Sequence, residues 1–313
     1  MHKHLNSESF LEDLLRIKPI RVKNIIPRES SVVGPVDHLV ECVSSISNPK
    51  SSGVFFSDNA FNLSPENYER SLIFLPTGMS NSVDERELFK HDLCCVFVDD
   101  PRTSYLSVLR SMGYGSERSF DSIANPPGRF FVSDSATVAE SAILGHCVIN
   151  DQAVIHDNVV IGDGVWIGSR SIVMPGAVLG LPGFGFRNAD QSNFPHFAGL
   201  YIGSNCVVGP NTVVQSGVLE ATVLEDFVKV DGSCQISHGV KLGARSTVIA
   251  GSHIAGSVSV GRNVWIGQNC VVSNIESIGD DAHISSGSVV FKSVASNQRV
   301  FGNPARPFPE TKV

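Results

Sequence analysis

Three residues in the second half of the chain offer groups suited to general base chemistry. His238 carries an imidazole, whose ordinary pKa of about 6.5 lets it accept a proton near neutral pH. At Gly256, a substrate could approach the backbone closely, and the N–H could donate to a developing oxyanion. Asp231 could orient the base through a hydrogen bond. Each residue also has an interpretation without a functional role: a surface histidine, a turn glycine and a corner aspartate.

The element that must position these residues has a strict six-residue period. Every sixth residue in this stretch is aliphatic: Leu224, Val230, Ile236, Leu242, Val248, Ile254, Val260, Ile266, Val272, Ile278, Ile284 and Val290. A helix of 3.6 residues per turn would rotate such a stripe away from one face, so the period excludes an amphipathic α-helix. It favours a parallel β-helix, in which each hexad forms one flat side of a coil. If three hexads complete a coil, Gly256 lies one coil, about 4.8 Å, from His238.

The same period extends upstream, with interruptions. It is visible in Val132, Val138 and Leu144, in Ile149, Ile155, Ile161, Ile167, Val173 and Leu179, and in Ile202, Val208 and Val214. Four extra residues precede Leu224, and the pattern stops between Leu179 and Ile202. We interpret the latter segment as a loop that leaves the coils; it is either functional or a tolerated insertion.

A chain of 313 residues is long enough for two domains. The period is absent before a linker at 125–128, so we predict an N-terminal domain at 1–128, a β-helix domain at 129–298 with a loop at 180–200, and a tail at 299–313. A net charge of −7 argues against a nucleic-acid surface. The sequence contains neither a signal-peptide core nor an 18-residue apolar run, so a cytoplasmic protein is expected. Three of the seven cysteines, Cys206, Cys234 and Cys270, occupy small-residue positions and should pack in the core.

The N-terminal domain is predicted to be a small α/β unit. Residues 7–17 and 104–112 have helical patterns. Short apolar runs predict strands at Ser31–Val33, Val40–Val43, Val54–Phe56, Leu72–Leu75 and Cys95–Val98.

Six segments of the sequence have a recognisable pattern. They are the Cys-Gln-Ile-Ser-His-Gly-Val segment at 234–240, Ala250–Ser257, the loop Gly183–Phe186, Gln215–Leu219, and, in the first domain, Val43–Phe61 and Val96–Leu106. These segments resemble the UDP-3-O-acylglucosamine N-acyltransferases, hexapeptide-repeat acyltransferases of lipid A biosynthesis. The resemblance implies a mainly β fold, a left-handed parallel β-helix with a small N-terminal α/β domain, assembled as a homotrimer. In that trimer, His238 of one chain would face the Gly183–Phe186 loop of the next.

The resemblance also implies an activity and roles for particular residues. His238 would be the catalytic base that takes a proton from a sugar amine, Gly256 would bind the oxyanion, and Asp231 would assist. Uracil would stack in the motif Phe55, Asp58 and Phe61, and further substrate contacts would come from Phe184, Phe186 and Gln215. The co-substrate would be an acyl thioester of acyl carrier protein or coenzyme A, the acceptor a nucleotide-linked amino sugar, and no metal or bound cofactor would be needed.

The sequence departs from the family in ways that leave an alternative open. Asp58 and Phe61 replace the usual Asn and Tyr, Ile275 stands where the family has a second histidine, and no C-terminal helical extension is seen before Val313. Phe301–Pro307 instead resembles the ending of acetyl-coenzyme A-dependent sugar O- and N-acetyltransferases.

Two other functions are alternatives for a β-helix. A β-helical carbonic anhydrase would need three converging histidines, but His238, His253 and His283 lie at mixed hexad offsets. A non-catalytic scaffold would tolerate replacement of His238.

Overall fold

The computed structural model describes residues 7–27, 30–59, 63–111, 130–184, 194–196 and 198–308. The chain divides into two compact units. The β-helix unit comprises 1–11, 119–183 and 196–313, and the N-terminal unit comprises 12–118 and 184–195. Residues 1–11 therefore group with the β-helix rather than with the predicted 1–128 domain, and most of the predicted loop groups with the N-terminal unit.

The N-terminal unit is built on a six-stranded sheet. The strands are β1 (Arg16–Arg21), β2 (Ser31–Val33), β3 (Leu39–Val43), β4 (Gly53–Phe56), β5 (Leu72–Pro76) and β6 (Cys94–Val98). Their order is β1-β3-β4-β5-β6-β2, with β3 to β6 parallel and the two edge strands antiparallel. The helices among the described residues are α1 (Ser7–Leu14), α2 (Glu85–Lys90) and α3 (Pro101–Ser111), with short 3-10 turns at Val22–Asn24, Pro65–Asn67 and Thr77–Ser82. The five predicted strands and both predicted helices are confirmed.

The sequence does not predict strand β1, and helix α1 ends at Leu14, three residues before the end of the predicted helix. The reason is the composition of Arg16–Arg21, in which cations and a proline surround Ile17, the strand's only buried residue. An edge strand tolerates this composition, because Pro19 loses no hydrogen bond to the interior of the sheet.

The second half of the chain forms a three-sided parallel β-helix, as the six-residue period predicts. Side 1 contains β7 (Phe131–Val132), β10 (Cys147–Ile149), β13 (Val165–Ile167), β16 (Leu200–Ile202), β19 (Thr222–Leu224), β22 (Lys241–Leu242), β25 (Ser259–Val260) and β28 (Ser277–Ile278). Side 2 contains β8 (Thr137–Val138), β11 (Val154–Ile155), β14 (Ile172–Val173), β17 (Val207–Val208), β20 (Lys229–Val230), β23 (Thr247–Val248), β26 (Trp265–Ile266), β29 (His283–Ile284), β31 (Arg299–Phe301) and β32 (Arg306–Pro307). Side 3 contains β9 (Ile143–Leu144), β12 (Val160–Ile161), β15 (Val178–Leu181), β18 (Val213–Gln215), β21 (Gln235–Ile236), β24 (His253–Ile254), β27 (Val271–Val272) and β30 (Val289–Val290).

The aliphatic residue of each hexad lies inside the coil. Ile236, Ile254 and Val272 are fully buried and stack on side 3 in neighbouring coils. Cys234 and Cys270 are buried beside them, as predicted, and burial raises the pKa of both thiols. The coil spacing and the inward stripe follow from the sequence period; the left hand of the coil stays a prediction from the resemblance.

The regular coils are interrupted twice, and both interruptions follow a strand of side 3 and precede a strand of side 1. The first lies between β15 and β16, and the second lies between β18 and β19. His238 follows β21 at this same edge, which we call the 3–1 corner. The C-terminal end is closed by β31 and β32, because β31 pairs with β29 and β32 returns antiparallel to it. The predicted boundary at residue 298 therefore cuts through the last coil.

Among the helices that the structure describes, none combines the length and the apolar character needed to cross a bilayer.

Candidate active site

His238 and Gly256 occupy equivalent positions in adjacent coils at the 3–1 corner. They follow β21 and β24, which pair in register through Ile236 and Ile254. The backbone between the two coils is also joined at the corner, because the N–H of Ser257 donates to the carbonyl of His238 over 2.9 Å. The structure thus brings together the first two residues that the sequence singled out.

The imidazole of His238 fills the space that a side chain at position 256 would need. A Cβ built on Gly256 would lie 2.7 Å from Cε1 and 2.8 Å from Nε2 of the ring, well inside van der Waals contact. None of the described residues accepts a hydrogen bond from the N–H of Gly256. A backbone donor therefore lies beside the candidate base, as oxyanion stabilisation requires.

Two hydrogen bonds fix the backbone on which His238 is carried. The N–H of His238 donates to Oε1 of Gln215 over 3.2 Å, and the N–H of Gly239 donates to Oγ1 of Thr222 over 2.9 Å. Gly239 has a φ of +68°, a conformation that suits glycine at a sharp corner. Gln215, predicted as a substrate contact, thus has a demonstrable role in holding His238.

A second histidine lies against the first. The rings of His196 and His238 are nearly perpendicular, at 77°, with centroids 5.5 Å apart. His196 is buried, and its Nε2 accepts a hydrogen bond from the N–H of Gly183 over 3.1 Å. The corner site therefore consists of five residues: Gly183, His196, Gln215, His238 and Gly256.

Electrostatics favour the neutral form of His238. Partial burial lowers the pKa of its imidazole below the ordinary 6.5, because burial removes water from the charged form. The imidazole is therefore unprotonated at neutral pH and able to accept a proton.

Asp231 lies at a different corner and does not orient the base. It follows β20 on side 2, and strand β21 separates it from His238. Its Oδ1 accepts from the N–H of Gly232 over 2.7 Å, and its Oδ2 accepts from the N–H of Ala250 over 3.3 Å. The predicted orienting role is corrected: this carboxylate ties two coils together, and the corner-residue alternative fits the structure.

Phe55, predicted to stack on uracil, is fully buried in the core of the N-terminal unit. Its ring contacts Tyr68 edge-on, with centroids 5.3 Å apart, so it has no face free for a ligand. The alternative of a core phenylalanine is correct here, because alternate residues of β4 point to opposite faces and Phe55 points inward. Phe61 and Phe186 lie outside the described residues, and Phe184 is exposed.

The next residue of β4, Phe56, points to the other face of the strand. The guanidinium of Arg102 lies 5.5 Å from the centroid of the Phe56 ring and forms an ion pair with Asp58 over 2.8 Å. The rings of Tyr105 and Phe194 lie 4.9 and 6.1 Å from that of Phe56. Asp58 thus belongs to an aromatic and cationic cluster, which we call the Phe56 cluster: Phe56, Asp58, Arg102, Tyr105 and Phe194.

Sequence reasoning missed His196 as a site residue and missed the Phe56 cluster. His196 lies in the segment between Leu179 and Ile202 that the sequence predicts to be a loop, and a single residue outside a periodic pattern carries no positional signal. One signal for His196 was available. The loop interrupts the coils at the 3–1 corner, which is also the corner at which His238 lies.

Comparison with known families agrees with the repeats. Residues 146–180 match the family "Bacterial transferase hexapeptide (six repeats)", and residues 257–292 match "Hexapeptide repeat of succinyl-transferase".

The chain is similar to several UDP-3-O-acylglucosamine N-acyltransferases. That of Herminiimonas arsenicoxydans is 39% identical over 129 residues, which cover 41% of this chain and 37% of the relative. That of Bordetella pertussis is 33% identical over 141 residues, or 43% and 39% of the two chains. UDP-3-O-acylglucosamine N-acyltransferase 2 of Legionella pneumophila strain Lens is 38% identical over 140 residues, or 44% and 41%. The chain spans about two fifths of the length of the curated relatives it matches.

Among solved structures, a UDP-N-acetylglucosamine acyltransferase aligns with a TM-score of 0.46 and 21% identity, over 58% of this chain and 72% of that one. The Francisella novicida enzyme of that name aligns with a TM-score of 0.44 and 23% identity, over 58% and 69% of the chains. The β-helix, the matched repeats and the curated relatives together show a chain that carries hexapeptide repeats and is similar, over about two fifths of its length, to UDP-3-O-acylglucosamine N-acyltransferases.

Proposed function

We propose that this protein transfers an acyl group from a thioester to the amine of a nucleotide-linked amino sugar, in the biosynthesis of lipid A or a related surface glycan. One observation carries the proposal: His238, a half-buried imidazole with a lowered pKa, lies directly against Gly256, whose backbone N–H is available to an oxyanion. The named activity of the similar proteins supplies the reaction class.

The chemistry follows from these two groups. The sugar nitrogen adds to the thioester carbonyl and forms the new C–N bond, while His238 takes the proton that the nitrogen loses. The N–H of Gly256 donates to the carbonyl oxygen as it becomes negative. The C–S bond then breaks, and the imidazolium returns its proton to the departing thiolate. Each step uses groups that the 3–1 corner already places together.

We infer that the N-terminal unit binds the nucleotide part of the acceptor at the Phe56 cluster. The partly exposed ring of Phe56 could stack on a planar base, and Arg102 could contact phosphate or ribose oxygens. Asp58, which replaces the asparagine of the family, holds Arg102 through the ion pair. The cluster therefore carries a carboxylate paired with a guanidinium where the family has a neutral amide.

A homotrimer is part of the proposal. Ile143 and Val271, on side 3, are 65% and 41% exposed, and Ile172, on side 2, is 36% exposed. Exposed aliphatic side chains along flat sheets are suited to burial against another copy. Light scattering should give three times the mass of one chain, and a monomer would contradict this part of the proposal.

The second candidate is an acetyl-coenzyme A-dependent sugar O- or N-acetyltransferase, which the sequence of Phe301–Pro307 favours. In the structure this segment caps the β-helix. The N–H of Val289 donates to the carbonyl of Gly302 over 3.0 Å, and the N–H of Ala305 donates to the carbonyl of Val289 over 2.8 Å. Because capping accounts for these residues, they give no separate support for coenzyme A, and the proposal keeps both acyl carrier protein and coenzyme A as donors.

The test is an acyl-transfer assay with UDP- and dTDP-linked amino sugars, each offered with carrier-protein and coenzyme A thioesters. Product from a 3-hydroxyacyl carrier thioester and UDP-3-O-acylglucosamine supports the proposal. Product only from acetyl-coenzyme A and another sugar establishes the second candidate instead. Absence of product from every pair would contradict both.

A further inference from the structure

Gly183 and His196, the residues that flank segment 184–195 in the chain, lie close to the candidate base. Gly183 precedes the segment and His196 follows it, and the hydrogen bond from the Gly183 N–H to Nε2 of His196 connects them. The imidazole of His196 is only 3% exposed, and it packs against the ring of His238. A buried histidine therefore closes the interruption of the coils and forms one wall of the site.

The hydrogen bond fixes the protonation state of His196. Because Nε2 accepts a proton from a backbone N–H, this nitrogen carries none of its own, and the ring is neutral with its proton on Nδ1. Protonation at Nε2 would break the bond and would place a cation 5.5 Å from the His238 ring. Keeping His196 neutral removes a nearby positive charge that would oppose the charging of His238 during the reaction.

Gly183 connects this wall to the other support of His238. A Cβ built on Gly183 would lie 2.6 Å from Oε1 of Gln215 and 3.1 Å from Nε2 of His196. The same Oε1 accepts from the backbone N–H of His238. The ring of His238 is thus bounded by His196, its backbone is held by Gln215, and Gly183 packs against both supports.

We propose that His196 is a positioning residue that holds the imidazole of His238 in its half-buried orientation through the Gly183 hydrogen bond. Its kinetic consequence rests on the proposed function, but the orientation itself does not. The Nε2 acceptor of His196 distinguishes this role from simple space filling. A residue that only fills space needs the volume of the ring, whereas a positioning residue also needs the acceptor.

The experiment compares His196→Gln, which keeps an acceptor, with His196→Phe, which keeps a ring but has none. The first readout needs no substrate. Diethyl pyrocarbonate modifies neutral histidine, so peptide mass spectrometry across a pH series reports the protonation midpoint of His238, with the exposed His253 as internal control. The second readout is kcat and KM in acyl transfer, and the melting temperature of each variant monitors folding.

We expect His196→Phe to raise the His238 midpoint toward 6.5, because a released ring is better solvated, and to lower kcat roughly 10- to 100-fold with little change in KM. His196→Gln should retain the wild-type midpoint.

A wild-type midpoint and kcat in His196→Phe would overturn the proposal, as would equal changes in both variants. If His196→Phe fails to fold, a shifted midpoint in the folded His196→Gln variant would overturn it. Shifted midpoints in a protein without transferase activity would support positioning and contradict the proposed function instead.

Discussion

The missing side chain of Gly256 leaves the space that the imidazole of His238 occupies in the neighbouring coil. The position of the ring therefore depends on a residue eighteen positions later in the sequence, through the stacking of coils. The role of the His238 ring position can therefore be tested by a substitution at Gly256, which alters no ionisable group.

Gly256→Ala should displace the His238 ring, since the added Cβ would lie 2.7 Å from Cε1. A displacement of about 1 Å can cost roughly 100-fold in rate, and we expect a loss of kcat of that order. Gly78→Ala is the matched control, because a Cβ at Gly78 meets nothing within 4 Å and its φ is not positive. Steady-state kinetics of the two variants provide the test. An unchanged kcat in Gly256→Ala would show that the position of the His238 ring does not depend on the lack of a side chain at residue 256.

The activity should persist to lower pH than an ordinary histidine base allows. Partial burial lowers the pKa of His238 below 6.5, and the base works only when neutral, so the acid limb of log(kcat/KM) should have its midpoint below 6.5. The same lowered pKa means that the unfolded chain binds more protons, so this group's contribution to stability is present above 6.5 and is lost as pH falls through the folded pKa. A kinetic midpoint at or above 6.5 would contradict the assignment.

Adjacent phenylalanines in β4 should respond in opposite ways. Phe56→Ala should weaken UDP binding by about 5- to 150-fold, the equivalent of the ~1–3 kcal/mol that base stacking contributes. Phe55→Ala should destabilise the N-terminal unit by about 3–5 kcal/mol, because its ring is fully buried. Calorimetric titration with UDP and denaturant unfolding separate the two effects. Wild-type UDP affinity in Phe56→Ala would remove the Phe56 cluster as the nucleotide site.

Ile275 carries backbone strain that a substitution should relieve. Its φ is +66°, a region that β-branched residues rarely adopt, and its side chain is 77% exposed. Ile275→Gly should therefore raise the free energy of unfolding by about 1 kcal/mol. Asn158, an exposed residue, has a similar φ of +57° but tolerates it, so Asn158→Gly should change stability by no more than about 0.5 kcal/mol. Destabilisation by Ile275→Gly in chemical denaturation would contradict this reading.

The architecture of the β-helix was predictable because its signal is periodic. The inward stripe that includes Ile236 and Ile254 repeats with every coil, and each repeat reinforces the same assignment. The pairing of His238 with Gly256 followed from that register, since a residue and the one eighteen positions on must stack.

The rest of the site depends on contacts that have no period. His196 reaches His238 from outside the regular coils, and Asp231 differs from an orienting residue only in the corner at which it lies. Phe55 and Phe56 are the same residue type, and only the direction of β4 in the packed sheet decides which one is buried. Local sequence could not distinguish these cases, because tertiary packing decides them.

The most direct test of the central claim is the rate of acyl transfer by His238→Ala beside the wild type, with the acceptor and thioester that the substrate panel identifies. We expect the variant to fold with a wild-type melting temperature and to lose about 10²- to 10⁴-fold in kcat, the usual contribution of a positioned general base. Equal rates in the two proteins would contradict the account, because His238 would then have no part in the reaction.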